Sequence, residues 1–169
     1  AHELARQAKE KGICEEWHGR LMKCGMKQEM LDMYVKGIDF CLANDYPDNA
    51  FIRKHFKGVM EDSGIFLDDS AVSLTNYRRC IALGRTSGTV SASGFNVCEV
   101  FVKHSSVIRI TASGHAFVEV DVFDDAVVYV TAKDSARVHV NRYGNAKAVV
   151  DGQEQAAYIK ITNKKKKTY

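Results

Sequence analysis

The chain has 169 residues, of which 46% are hydrophobic and 27% are charged, and its formal net charge is +3 at pH 7. This size suits one domain or two small ones with an ordinary apolar core. Four positive charges lie in one C-terminal run, so the remaining chain is near neutral, unlike a generic nucleic-acid-binding protein. No apolar run reaches the roughly 20 residues that span a bilayer, and the polar amphipathic start is unlike a signal peptide. We therefore expect a soluble, cytoplasmic protein.

The first 60 residues carry the apolar spacing of amphipathic helices. Apolar residues recur at i, i+3, i+4 and i+7, and glycines interrupt the pattern. Pro47 suits the first turn of a helix. The sequence predicts about four helices, over residues 2–11, 14–24, 27–43 and 48–56. We interpret residues 1–60 as a helical subdomain and residues 61–70 as a connector.

The stretch from Val97 to Val150 repeats every ten residues. Its successive units read VCEVFVKHSS, VIRITASGHA, FVEVDVFDDA, VVYVTAKDSA, RVHVNRYGNA and KAVV. The second, fourth and sixth residues of a unit are mostly apolar, which indicates a strand with one buried face. Turn-forming residues follow, and a small residue ends each unit: Ser106, Ala116, Ala126, Ala136, Ala146 and then Ala156.

A fixed period of ten predicts a repeat architecture. We therefore predict an α+β chain in which the helical subdomain precedes a short β-solenoid over residues 71–162. The first two strands of this solenoid act as an atypical cap. A basic tail over residues 163–169 follows.

The number of units per coil depends on how the repeat varies. Val102 and Val122 alternate with Ala112 and Ala132, so the pattern repeats better at twenty residues than at ten. This favours two units per coil, in which Val100 pairs with Val120. Three units per coil would instead pair Val100 with Val130. An antiparallel meander would place Val100 beside Ile110.

No catalytic or metal-binding motif stands out in the repeats. Hexapeptide acyltransferase repeats have a different period, and acidic residues occupy only two turns, at Asp124, Asp125 and Asp134, unlike the calcium-binding nonapeptide. The histidines of the repeats, at positions 104, 115 and 139, fall on two turns and one outward strand position, which disfavours a shared ligand set. We expect no catalytic residue, metal site or cofactor, and the sequence favours a binding protein over an enzyme.

The cysteines and one arginine need separate interpretations. The five cysteines are widely spaced with no CxxC pair, which favours reduced thiols over a disulfide framework or zinc site. Arg142 occupies an inward register position, where a buried guanidinium would need a partner. We expect its side chain to reach the rim of the solenoid.

Two surface features predict interactions. The first is a stripe of aromatic residues that we place on the outward face: Phe101, Phe117, Phe123, Tyr129 and Tyr143. The second is the lysine run, Lys164, Lys165, Lys166 and Lys167, which suits phosphates or acidic partners but also a solvated end that discourages end-to-end stacking.

The segment YVKGIDFCLANDYPDNAFIRKHFKG, followed by DVFDDAVVYV, VNRYGNAKAVV and KKKKTY, resembles small uncharacterised proteins of gut Bacteroides-type bacteria and their prophages and mobile elements. The unit YGNAxVxV is similar to decapeptide arrays in many phage and bacterial proteins. The resemblance implies a phage or mobile-element setting and assigns no catalytic residue.

Three functions follow as hypotheses. The first is a non-catalytic protein-binding or assembly module, an adaptor, inhibitor or structural part, that uses the aromatic stripe for a protein partner or for a closed homo-oligomer. The second is a small hydrolase or transferase with a site between helices and solenoid that uses His18, His55 or a cysteine. The third is nucleic-acid binding through the lysine run.

Overall fold

A computed structural model describes residues 1–169. The chain divides into two compact units, Ala1–Ser63 together with Tyr169, and Gly64–Thr168. The first is helical and the second is built from parallel strands.

The helical unit contains five helices, one more than predicted. They are α1 (His2–Glu10), α2 (Glu15–Met22), α3 (Lys27–Lys36), α4 (Ile38–Asn44) and α5 (Asn49–His55), and a short 3-10 helix spans Glu61–Ser63. The helix predicted over residues 27–43 is divided at Gly37, whose amide still donates to the Met33 carbonyl at 2.9 Å but whose backbone leaves the helical conformation, with φ −104° and ψ 30°. Glycine is a poor helix former because the unfolded chain gains most freedom there. The apolar stripe continues through this break, which is why periodicity alone did not reveal it.

Polar groups fix the ends of these helices. The Asp48 side chain accepts the Phe51 amide at 2.7 Å and caps α5. Pro47 lies just before this cap and not in the first turn of the helix, as the sequence had suggested. The Glu29 carboxylate accepts the amides of Met26 and Gly25, and these hydrogen bonds lower its pKa.

The second unit is a β-solenoid of about five turns, as predicted. Its strands are β1 (Ile65–Leu67), β2 (Val72–Thr75), β3 (Arg79–Leu83), β4 (Ser87–Ala92), β5 (Val97–Val102), β6 (Val107–Ala112), β7 (Phe117–Val122), β8 (Val127–Ala132), β9 (Arg137–Arg142), β10 (Lys147–Gln153) and β11 (Tyr158–Asn163). The odd-numbered strands form a six-stranded parallel sheet and the even-numbered strands a five-stranded parallel sheet. Successive strands therefore alternate between two sheets.

The register confirms two units per coil. Val100 pairs with Val120 and Val120 with Val140 in the six-stranded sheet. Ile110 pairs with Val130 in the other sheet. The three-unit coil and the antiparallel meander are both excluded, because they would have joined Val100 to Val130 or to Ile110.

The core lies between the two sheets. The inward residues of the middle coils are no more than 1% exposed, among them Val100, Ile110, Val120 and Val130. The small residue that ends each unit is also buried, because it lies where the chain turns into the next sheet. The alternation seen in the sequence therefore corresponds to one continuous core.

The turns explain the residues that break the alternation. In the turns from β3–β4 to β9–β10 the second residue has a positive φ, and it is Gly84, Gly94, His104, Gly114, Asp124, Asp134 or Gly144. A Cβ at Gly114 would lie 2.9 Å from the Gly94 backbone nitrogen, so close stacking of the coils also requires glycine there. Where an aspartate holds this position, its carboxylate accepts the turn amide one coil earlier. Asp124 accepts from His104 at 3.2 Å and Asp134 accepts from Gly114 at 2.7 Å.

Both ends of the solenoid differ from the predicted boundaries. β1 pairs with β3, so the solenoid begins inside the segment interpreted as a connector. In β10 the pairing skips Asp151, and this bulge gives the last full unit eleven residues. As a result Ala157 is buried at 5% exposure and the predicted Ala156 is exposed.

Candidate protein-binding surface

The five predicted aromatic residues do not form one outward stripe. Phe101 and Phe117 lie outward on the six-stranded sheet, whereas Tyr129 lies on the five-stranded sheet. Phe123 and Tyr143 are buried, and their rings stack with centroids 4.6 Å apart at an interplanar angle of 17°. The prediction was wrong for these two because they begin turns, where the alternation of a strand no longer applies.

The residues that begin turns form a buried column along one edge of the solenoid. After strands of the six-stranded sheet they are Leu83, Lys103, Phe123 and Tyr143, all buried. The Lys103 ammonium lies 3.2 Å from an Asp124 carboxylate oxygen and 5.7 Å from the centre of the Phe123 ring. The equivalent residues after the five-stranded sheet, Ser93, Ser113 and Lys133, are partly or fully exposed. This column is therefore core and not a binding surface.

A set of side chains that shares only Phe117 with the predicted stripe forms an exposed aromatic strip where the strands of the six-stranded sheet begin. We define the aromatic strip as Phe95, Val97, His115, Phe117, His139 and Tyr158. The register places Val97, Phe117, Arg137 and Tyr158 in one row across four neighbouring strands. Phe95 and Val97 are 84% and 58% exposed, and Tyr158 is 50% exposed. Exposed apolar groups on adjacent strands form a continuous surface rather than isolated contacts.

Ring contacts order this strip. Phe95 stacks on His115 at 4.9 Å with an interplanar angle of 12°. His139 contacts Phe117 edge-on at 5.0 Å and Tyr158 at 6.1 Å. Such pairs hold the rings in place without removing their exposed faces from water. A partner would therefore meet a surface that is already ordered.

A row of paired polar side chains borders the strip on the same sheet. Arg79 bonds to Glu99 at 2.8 Å, and Asn141 donates to Glu119 at 3.0 Å and to Asp121 at 2.8 Å. A His139 ring nitrogen lies 3.7 Å from a Glu119 carboxylate oxygen. Apolar contacts beside satisfied polar groups are typical of protein interfaces.

The repeat histidines and acidic turn residues have local structural partners. A His104 ring nitrogen accepts the Gly84 amide at 3.0 Å, while His115 and His139 belong to the aromatic strip. The Asp125 amide donates to the His104 carbonyl at 3.1 Å. No group of three His, Cys, Asp or Glu side chains is arranged to hold a metal ion.

The cysteines are free thiols, and three of them are buried. Burial raises the pKa of Cys41 and of Cys80 to about 12 and that of Cys98 to about 11. These thiols stay protonated at neutral pH, whereas nucleophilic cysteines need a lowered pKa. In the helical unit, the ring of His55 packs on Phe51 with centroids 4.3 Å apart, and His18 is half-buried.

The lysine run is exposed beyond β11 and turns back beside the preceding coil. The Lys164 amide donates to the Arg142 carbonyl at 3.0 Å, and the Lys166 carbonyl accepts the Gly144 amide at 2.9 Å. Arg142 itself is half-buried at an inward register position between Val122 and Asn163. It therefore lies near the C-terminal end of the core, where the neighbouring coils bury inward side chains less completely.

The sequence contained a signal for the strip that its alternation did not reveal. Phe95 is the third residue of its turn, where other units have Ser105, His115, Asp125, Ser135 and Asn145. A phenylalanine at a position that is otherwise polar indicates an aromatic ring held in water.

None of the helices is long and apolar enough to cross a membrane. Comparison with known protein families, curated proteins and solved structures gives no match.

Proposed function

We propose that this chain is a non-catalytic protein-binding module that presents the aromatic strip on a rigid β-solenoid. The observation that carries the proposal is Phe95, whose side chain is 84% exposed and yet stacked on His115. A ring left in water contributes little to the stability of the fold. We therefore infer that Phe95 contributes to the binding of a partner instead. The strip therefore takes the role that the sequence gave to an aromatic stripe of which only Phe117 belongs to the strip.

The solenoid supports this role because it holds the strip in one conformation. Every strand under the strip is bonded to at least one parallel neighbour, and the rings contact each other across strands. A surface that is ordered before binding loses less conformational entropy when a partner arrives. Aromatic residues are also the type most enriched at the centre of interfaces.

The other hypotheses have weaker support. The raised pKa values of Cys41, Cys80 and Cys98 argue against a nucleophilic role for these thiols. Nucleic-acid binding depends on the lysine run alone. Free cysteines suit a reducing compartment, in agreement with the predicted cytoplasmic location. The phage or mobile-element setting, with its adaptors, inhibitors and structural parts, remains a proposal that the resemblance implies.

Site-specific photo-cross-linking tests the proposal. We would place p-benzoylphenylalanine at position 95, and at position 107 as a control, because Val107 is 37% exposed on the outer face of the other sheet. In extract of the source organism, position 95 should give a discrete adduct that excess wild-type chain suppresses and excess Phe95→Ser does not. Equal labelling at both positions, or suppression by both competitors alike, would contradict a specific role for the strip.

A further inference from the structure

The C-terminal end of the solenoid is open. β10 and β11 each pair on one side only, so the backbone groups along their other edges have no strand partner. The inward residues Val150 and Ile161 are 46% and 41% exposed, whereas Val130 and Val140, one coil earlier, are at most 1% exposed. This open end therefore combines an unsatisfied strand edge with an exposed section of the apolar core.

The lysine run does not cover this end. The Lys166 carbonyl bonds to Gly144, which lies one coil earlier, and the Lys164 amide bonds to Arg142 on the already paired side of β11. The run was expected to discourage stacking at the end of the solenoid. Its backbone instead lies along one long edge and leaves the strand edges accessible.

Charge is divided between the two long edges of the last coil. β11 ends where β10 begins, so Lys147 and the lysine run share one edge, which we call the basic edge. Glu154 follows β10 at the opposite edge, which we call the acidic edge, and Asp151 lies towards it in an ion pair with Arg109 at 2.8 Å. The open end is therefore strongly basic on one side, whereas the exposed Glu154 makes the other side weakly acidic.

We propose that two copies of this chain pair through their open ends about a twofold axis perpendicular to the sheets. This axis places the basic edge of each copy against the acidic edge of the other. β11 then pairs with β11 of the second copy, and β10 with β10, both antiparallel. A twofold axis along the strands would place the two lysine runs together, which like charges disfavour.

The same arrangement buries the exposed apolar side chains and gives the edge backbone groups hydrogen-bond partners. With β11 centred on Ile161, the Ile161 side chains of the two copies face each other, and Lys160 of each copy lies opposite Thr162. This register keeps inward residues opposite inward residues and avoids a Lys160 pair at the centre. Both sheets continue through the interface, so no strand edge remains open at the C-terminal end.

The size of the open end predicts a weak dimer. Strands of about six residues are about 20 Å long and the sheets are about 10 Å apart, which gives roughly 400 Å² per copy with side chains included. The two copies would bury about 800 Å² in total, which is below the roughly 1,200–2,000 Å² of stable specific interfaces, so we expect a transient dimer with a dissociation constant of about 100 μM. The dimer would show both aromatic strips on one face, which increases the apparent affinity for a partner with two matching sites.

Sedimentation equilibrium of the full chain from about 1 to about 500 μM tests the pairing. The wild type should associate to a dimer and no further, and Ile161→Lys should be a monomer at all concentrations. Phe95→Ser should dimerise as the wild type does, which separates this interface from the aromatic strip. A wild type that stays monomeric, or an Ile161→Lys variant that dimerises normally, would overturn the proposal.

Two further variants test the geometry. Replacing all four lysines of the run by glutamine should weaken the dimer about tenfold because it removes attraction between opposite edges. A tighter dimer would show that the runs repel each other and that the axis is wrong. In a Cys14→Ser, Cys24→Ser background, Ile161→Cys should form a disulfide-linked dimer under mild oxidation, and Val107→Cys should not. Equal cross-linking of both variants would contradict the register.

Discussion

The two-unit coil makes a sharp prediction about deletions. Removing residues 107–126 deletes one complete coil, so β5 is followed by β8 and every later strand keeps its sheet. Removing residues 107–116 deletes half a coil, so every later strand is forced into the opposite sheet. A solenoid is stabilised mainly by contacts between neighbouring coils. It therefore tolerates the loss of a whole coil far better than a change of register.

The cost of the half-coil deletion follows from the buried column. Phe123 and Tyr143, now 0% and 4% exposed, would move to the edge where the equivalent residues are Ser93, Ser113 and Lys133. Exposing two rings costs about 2–3 kcal/mol each. Val122 would also take the place of the smaller Ala112 beside Ala92, which adds about 1–3 kcal/mol of overpacking. The sum approaches the whole stability of a small domain, about 5–15 kcal/mol.

Urea unfolding followed by far-UV circular dichroism measures the difference. The variant lacking residues 107–126 should unfold cooperatively with a β-rich spectrum. The variant lacking residues 107–116 should have lost most of its stability or be unfolded in buffer. Equal midpoints for the two deletions would refute the argument that alternate turns are structurally different.

Further predictions concern the turns, a cap and the thiols. Asp134→Ala should lower the free energy of unfolding by about 1–2 kcal/mol, because it removes the acceptor for the Gly114 amide and puts alanine at φ 54°. Asp134→Asn should lower it by less. Equal losses for the two variants in urea unfolding would contradict this prediction. Asp48→Ala should cost about 1 kcal/mol through the lost cap of α5, and Asp48→Ser should restore most of it. Cys41, with its ordinary pKa of 9.0 raised to about 12, contributes stability that is complete below pH 9 and is lost as pH rises towards 12. A Cys41→Ala variant should therefore lose less stability between pH 9 and 12 than the wild type, and an unchanged alkaline profile would show that the thiol is not responsible.

Much of the solenoid could be predicted because its physical causes are local and repeat. Alternation gives the inward face, and the Val102–Ala112 alternation at twenty residues indicates the two-unit coil. The register then follows, since a slip of one residue would turn the apolar face outward. The wrong predictions concern places where one residue interrupts a pattern. Gly37 divides a helix within a continuous apolar stripe, and Asp151 adds a bulge that shifts the small residue from Ala156 to Ala157.

The binding surface was harder to predict because exposure in the turns depends on the edge. Phe123 and Ser113 hold equivalent positions in their units, yet only Phe123 lies on the edge that is buried. Alternation cannot distinguish the two edges. Phe95 occupies a turn position that is otherwise polar, and Tyr158 joins it only through the stacking of coils. A strip of this kind is defined by the register between coils and not by the order of residues in one unit.

The most direct test of the account is a paired measurement on Phe95→Ser and Phe123→Ser. Phe95→Ser should unfold at the wild-type urea concentration and lose the ability to compete for the cross-linked partner. Phe123→Ser should lose about 3–5 kcal/mol of stability, because its ring is buried against Tyr143. The account would be contradicted if Phe95→Ser lost stability while competing as well as the wild type.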